Sequence, residues 1–196
     1  MTDDTEIPVI APNLSLEQAL AKVDPNRPVS PDEIRVVGYP KYLFGYDVTL
    51  ERKFISDREV SLSVTVDALT GGRLRNDTYP DIEQRSLPAN ALLQPRVDYD
   101  TAVDKSRAVI RRYISFHFST FVMVGNMPDM DVTREDFVFD LYWLVPTGPE
   151  SAAEPAVTII NSVSGKIIEE DVAPSDVTEE ALAEAESDPE AESDAR

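Results

Sequence analysis

The sequence predicts an α+β protein made of two helix-on-antiparallel-sheet units related by internal duplication, with a disordered acidic C-terminal tail. Residues 42–71 and 137–165 carry most of this prediction. Each reads as an aromatic-rich alternating run, a polar connection, a β-branched run and then a turn. The turns are Asp-Ala-Leu-Thr-Gly at 67–71 and Asn-Ser-Val-Ser-Gly at 161–165. This period is far longer than the roughly 20–50 residues of a solenoid repeat, so it indicates two copies of a small domain-like unit.

The chain length of 196 residues accommodates two such units. The start of the chain is polar and contains prolines, the stretch between the units has few periodic apolar residues, and the end has no apolar stripe that could offset the cost of ordering. The predicted divisions are a flexible leader (1–13), a first unit (14–75), a linker (76–98), a second unit (99–170) and a disordered acidic tail (171–196).

In the first unit, the pattern begins with a short helix. Ser15 and Gln18 have the spacing of a capping box, and the helix should end before Pro25. Residues 42–51 then alternate as a strand, with residues 60–66 as its partner. The glycine pair after the turn leads into a brief Arg-Leu-Arg strand.

In the second unit, apolar residues recur every three or four positions from Thr101 to about Phe118, which predicts a helix capped by Asp100. A loop rich in Met, Pro and Asp follows. Residues 136–145 and 155–161 then form the second strand pair.

Both turns resemble one element of a known family. Val66-Asp67-Ala-Leu-Thr70-Gly71 is similar to the V-D-x-x-T-G turn of PepSY-type modules, and Asn161 and Ser164 keep the turn chemistry in the second copy. The resemblance implies a helix packed on a small antiparallel sheet. It also implies a binding or regulatory role, since tandem PepSY-like proteins are typically such modules and some inhibit peptidases.

The charge and composition of the chain indicate its environment and limit the classes of partner. The chain has 37 acidic and 18 basic residues and a net charge of −19, with 13 arginines, 5 lysines and no cysteine. This composition is typical of proteins from halophilic archaea, where dense carboxylates keep a surface hydrated in molar salt. The electrostatic field of a protein with this much negative charge repels phosphate backbones, and we expect no nucleic-acid partner. The start of the chain lacks a basic, then apolar, signal pattern, and the longest apolar stretch is too short to span a bilayer. We therefore expect a cytoplasmic protein with no direct membrane insertion.

No catalytic set is evident in the sequence. His117 is the only histidine, there is no G-x-S-x-G elbow, and no glycine pattern suits a phosphate. Without cysteine, one histidine cannot form the usual zinc sites. Residues 129–140 space oxygen ligands like a calcium loop, but Arg134 stands where an EF-hand needs glycine. We expect no catalytic residue, no metal and no cofactor.

The aromatic residues and arginines of the second helix point instead to an interaction surface. We expect a non-catalytic interaction or regulatory module that binds a protein partner through its sheet or this helix, with a homo-oligomer as another outcome. The candidate contact residues are Arg107, Arg111, Phe116, Phe118 and Phe121.

Two alternatives remain open. One is a small-ligand-binding protein or an enzyme with a pocket between sheet and helix, formed by His117, Asp67 and Trp143. The other is a soluble subunit of a membrane-associated complex.

Overall fold

The structure is a computed structural model, and it describes residues 4–23, 30, 33–50, 57–118, 129–147 and 156–186. Eight strands and three helices form within these ranges, which confirms the α+β class. The predicted contact residue Phe121 and residues 187–196 of the predicted tail lie outside the described residues.

The elements are as follows. The strands are β1 (Asp4–Ile10), β2 (Arg35–Leu50), β3 (Arg58–Asp67), β4 (Arg73–Asn76), β5 (Ile82–Pro88), β6 (Asp129–Pro146), β7 (Val157–Asn161) and β8 (Ile167–Val172). The helices are α1 (Leu16–Val23), α2 (Tyr99–His117) and α3 (Glu179–Glu186).

The chain divides into two compact units that differ from the predicted ones. Unit 1 comprises Met1–Tyr39, Ile82–Leu93 and Phe139–Arg196, and unit 2 comprises Pro40–Asp81 and Gln94–Val138. Helix α1 therefore belongs with β7 and β8, and helix α2 belongs with β3 and β4. Each helix groups with the hairpin that the sequence analysis assigned to the other helix.

In unit 1, direct contacts join α1 to the second hairpin. The backbone N–H of Leu14 donates to the carbonyl of Ser162 at 3.2 Å. Ala19 of α1 is fully buried in a cluster with Trp143 and Ile160. The capping box of α1 is confirmed, since the Ser15 N–H donates to Gln18 Oε1 at 2.8 Å and the Gln18 N–H donates to Ser15 Oγ at 3.2 Å.

The predicted leader and linker are corrected to a pair of strands in unit 1. β1 and β5 are antiparallel, with Asp4 opposite Pro88 and Ile10 opposite Ile82. Ile7 and Val9 alternate along β1 and are buried against Phe139 and its neighbours. Pro88 is tolerated because it is the last residue of β5, which ends the strand order.

In unit 2, helix α2 covers one face of the strand order β4-β3-β2. Phe44, Tyr46 and Val48 of β2 bury their side chains against Ile110 and Ile114 of α2. The alternation predicted for both strands is confirmed, with Tyr42 opposite Val66 and Val48 opposite Val60 in register. The predicted cap is corrected, since the side chain of Asp98, not Asp100, accepts from the Thr101 N–H.

The two turns have the same geometry. In unit 2, Asp67 Oδ1 accepts from the N–H groups of Leu69 and Thr70 at 2.8 and 2.9 Å. In unit 1, Asn161 Oδ1 accepts from the two corresponding N–H groups at 2.9 and 2.8 Å. Both turns end on a glycine in the left-handed region, Gly71 at φ 73° and Gly165 at φ 65°. A shared oxygen acceptor and a glycine at positive φ define this turn.

Part of the predicted disordered tail is corrected to ordered structure in unit 1. Thr178 caps α3, because its Oγ1 accepts from the Ala181 N–H at 3.2 Å. The reason for the order is Leu182, whose side chain is only 1% exposed. One well-buried leucine contributes about 1.5–3 kcal/mol, which short helices need because they are marginal alone.

The Asp67 turn yields a stability prediction. Asp67→Ala removes the acceptor of two N–H groups in a buried turn, and the free energy of unfolding should fall by about 1–3 kcal/mol. Asp67→Asn is the matched control and should lose clearly less, because an asparagine makes the same two bonds in the other turn. Urea denaturation followed by circular dichroism measures both. An Asp67→Ala variant within about 0.5 kcal/mol of the parent would contradict this role of the carboxylate.

Candidate functional site

The predicted contact residues of helix α2 do not form one surface. Nine residues, about two and a half helical turns, separate Arg107 from Phe116, so they lie on opposite flanks of α2. Arg111 follows Arg107 by four residues and shares its flank. Phe118 is the C-cap of the helix and is partly buried against the core of unit 2.

The predicted pocket residues also have separate roles. Asp67 is buried in its turn, and Trp143 is buried in the core of unit 1. His117 is exposed at the end of α2, where its Nδ1 lies 3.1 Å from the Tyr113 carbonyl oxygen. His117 is twelve residues beyond Lys105, about 18 Å along the helix, and it is Lys105 that reaches the Asp67 turn. The structure therefore does not bring Asp67 and His117 together.

A different set of residues does come together in unit 2, on the flank of α2 that faces the edge strand β4. We call it the basic edge surface. Its members are Arg73 and Arg75 of β4 and Lys105, Arg112, Tyr113, Phe116 and His117 of α2.

Strand β4 ends the strand order of unit 2, and in the part of the chain that the structure describes no strand pairs with its outer side. Arg73 is opposite Val66 and Arg75 is opposite Val64, so both arginines project to the face that α2 covers. Leu74 projects to the other face and is 52% exposed.

An arginine–aromatic stack connects the strand to the helix. The guanidinium carbon of Arg75 lies 4.6 Å from the centroid of the Tyr113 ring, which is a cation–π distance. The Tyr113 and His117 rings are 4.2 Å apart, and the Phe116 and His117 rings are 5.6 Å apart. Phe116 stands at the end of this row with 83% of its surface exposed. Contiguous exposed apolar groups mark interaction sites, and Phe116 continues the row of rings formed by Tyr113 and His117.

The rest of the surface is cationic. Lys105 Nζ donates to the Gly71 carbonyl oxygen at 3.0 Å, which holds one charge beside the start of β4. Arg112 follows Lys105 by seven residues and precedes Phe116 by four, so helical spacing places all three on one stripe. Asp77 also lies on this surface, with a carboxylate oxygen 2.9 Å from Arg75 Nη2.

Two tyrosines of β2 and the first residue of α2 have raised pKa values. Burial is the main cause that raises the pKa of Tyr46, and a lesser cause is the nearby Glu135 carboxylate. The hydroxyl of Tyr99 donates to Glu135, which raises its pKa. Burial likewise raises the pKa of Tyr42. These phenols stay protonated at neutral pH, so they act as hydrogen-bond donors rather than as general bases or nucleophiles.

On the face of β2 away from α2, a second tyrosine network is structural. The Tyr79 hydroxyl donates to Asp136 Oδ2 at 2.8 Å, and Arg134 stacks over the Tyr79 ring at 4.1 Å. The ring also lies 3.3 Å from the position that a Cβ on Gly45 would occupy. Glycine at position 45 therefore lets the tyrosine approach the strand closely.

The described ranges contain no group of three or more histidine or carboxylate side chains that could hold a metal ion. Residues 129–140, whose oxygen ligands were compared with a calcium loop, lie in strand β6. Among the helices that the structure describes, none combines the length and the apolarity of a membrane span.

No family model matches the chain, and the searches of curated proteins and of solved structures likewise give no match.

The sequence analysis missed Arg73, Arg75, Lys105 and Tyr113. The seven-residue spacing of Lys105 and Arg112 was a usable signal, since it places two cations and Phe116 on one stripe. Nothing in the local sequence shows that this stripe faces β4.

Tyr79 gives a pH-dependent prediction. Its pKa is raised, first by burial and then by its hydrogen bond to Asp136. A raised pKa in the folded state adds stability that is complete below the ordinary tyrosine value of about 10 and is lost as pH rises through the folded value. The unfolding free energy should therefore fall above about pH 10, and Tyr79→Phe should flatten this decline.

The measurement is urea unfolding between about pH 8 and 11.5. Asp136→Asn is the companion variant, because it removes the second cause while keeping the phenol, and it should flatten the decline partially. Identical alkaline slopes in the parent and in Tyr79→Phe would show that Tyr79 does not govern the loss.

Proposed function

We propose that this chain is a non-catalytic interaction module that binds a protein partner through the basic edge surface of unit 2. One observation carries the proposal: Phe116 is 83% exposed at the end of a row of stacked aromatic rings, next to arginines of a free edge strand. Burying an exposed aromatic side chain is a main source of interface energy, and tyrosine and arginine are the residues that most often accompany it.

The charge of the surface supports a protein partner. The chain as a whole has a net charge of −19, yet this surface places four cationic side chains around the Asp77 carboxylate. Charges that are opposite to those of the remaining surface orient an encounter and reject wrong partners. The partner's contact region should therefore be acidic.

The alternative of a small-ligand pocket has less support. The three residues that the sequence analysis assigned to it serve the Asp67 turn, the end of α2 and the core of unit 1. The raised pKa values of Tyr42 and Tyr46 also leave these phenols unsuited to proton abstraction.

We also propose that the helix-and-hairpin parts of the two units are copies of one ancestral module, of the PepSY-like kind. The support is a set of corresponding hydrogen bonds. The Ala68 N–H donates to the Pro40 carbonyl and the Ser162 N–H donates to the Leu141 carbonyl, at 3.1 and 2.9 Å. A cytoplasm of high salt concentration is the setting we infer from the acidic, lysine-poor composition.

The proposed function is tested with a photoreactive side chain. Benzoylphenylalanine replaces Phe116 in the full-length protein expressed in its native cells, and irradiation should give one discrete cross-linked protein. Asp104 is exposed and lies seven residues before Arg111, on the flank of α2 that Arg107 and Arg111 share, so it is the matched control position and should not give that product. Arg112→Glu in the Phe116-labelled chain should reduce the cross-link at least about fivefold by removing a neighbouring cation.

Identical products from positions 116 and 104, or no product at 116, would overturn the proposal. Circular dichroism of each variant establishes that α2 is intact, so a lost cross-link reports on the surface and not on folding.

A further inference from the structure

Strand β4 offers an incoming chain a defined set of backbone groups. The Asp67 N–H donates to the Gly72 carbonyl oxygen at 2.8 Å, at the closed end of the β3–β4 hairpin. Inward-bonded residues alternate along an antiparallel ladder, so Leu74 and Asn76 bond toward β3. The N–H and C=O groups of Arg73 and Arg75 therefore point away from the sheet.

The same two residues send their side chains to the α2 face, where Lys105 and Arg112 also lie. An added antiparallel strand would place residues directly opposite Arg73 and Arg75. Side chains at those positions would share the α2 face with the guanidinium groups, and opposite charges that face each other across strands stabilise pairing. The intervening residue would point to the other face, against Leu74, which is 52% exposed.

We infer that the basic edge surface takes an extended acidic segment of a partner protein, added to β4 as an antiparallel strand with the pattern acid–apolar–acid. The two acids pair with Arg73 and Arg75, and the apolar residue between them covers Leu74. This inference rests on the proposed function and specifies the class of partner. Backbone pairing supplies affinity in such strand additions, and alternate side chains supply specificity.

Existing contacts prepare the strand for this pairing. Stacking on Tyr113 fixes the guanidinium of Arg75, so less side-chain freedom is lost on binding. The carboxylate of Asp77 occupies part of the same guanidinium and must be displaced by the incoming acid. Asp77→Asn should therefore bind an acidic peptide more tightly, by about twofold to fivefold.

The probe is a fluorescein-labelled peptide, Thr-Glu-Val-Glu-Val-Thr with blocked ends, and the readout is fluorescence anisotropy with the folded full-length protein. Replacing both glutamates by lysine should abolish binding. N-methylation of the glutamate amides should weaken binding at least about tenfold, because those N–H groups would donate to β4, whereas N-methylation of the valine amides should leave it unchanged.

Protein variants supply the second arm. Arg75→Glu should lower the affinity about tenfold or more, and Arg85→Glu, an exposed arginine of β5, should have no effect. Arg73→Pro and Arg73→Ala remove the same charge, but only proline removes the outward N–H, so Arg73→Pro should bind at least about fivefold more weakly.

The outcomes separate this inference from the proposed function. Equal weakening by both N-methylated peptides, or equal affinity of Arg73→Pro and Arg73→Ala, would overturn strand addition. A cross-link at position 116 would still uphold the interaction module in that case. Sedimentation velocity tests whether a second copy of this chain binds to β4 instead. A dimer that Arg75→Glu dissociates would assign β4 to that second copy and overturn the acidic-peptide inference.

Discussion

One backbone carbonyl within each turn is bonded to the segment that leads into a helix. In unit 2, the Ala68 oxygen accepts from the N–H groups of Arg96 and Val97 at 2.8 and 2.9 Å, immediately before the cap of α2. In unit 1, the Ser162 oxygen accepts from the Leu14 N–H, two residues before α1. Ala68 and Ser162 are both fully buried, and a buried carbonyl without a donor is costly. Each turn therefore needs the N–H groups of the residues just before a helix to satisfy its buried carbonyl.

The position of the basic edge surface follows from this anchor. Because α2 starts beside the Asp67 turn, Lys105 arrives two turns later within reach of the Gly71 carbonyl. Two further turns bring Tyr113 under Arg75. The strand and the helix are thus held at one spacing by the turn at one end and by the stacked ring at the other. Side chains that are held in place in this way lose little conformational freedom when a partner binds.

The sequence predicts what depends on near neighbours and misses what depends on distant ones. The alternation around Phe44, the capping box of Ser15 and both turns are local patterns, and all are confirmed. The pairing of α1 with the second hairpin rests on a bond between Leu14 and Ser162, which no local pattern encodes.

The sequence does not reveal the basic edge surface for the same reason. Phe116 was identified from composition, since exposed aromatics are visible as an excess on a polar helix. Arg73 and Arg75 lie on a strand of four residues that reads as a polar connection when taken alone. Only the register with β3 shows that the side chains and the outward peptide groups of these two arginines both face the basic edge surface.

Comparison of the two hairpins shows which part of this surface the fold leaves open. Two residues after the turn glycine, unit 2 has Arg73 where unit 1 has Ile167, and two further on it has Arg75 where unit 1 has Glu169. The same turn and the same kind of edge strand thus carry different side chains, so the fold of the hairpin does not require arginines at these positions. If the acidic composition reflects molar salt, the attraction between exposed charges more than about 3 Å apart is largely screened. Recognition then depends on groups in contact, and the outward peptide groups of β4 and the ring that orients Arg75 are contacts that salt does not remove.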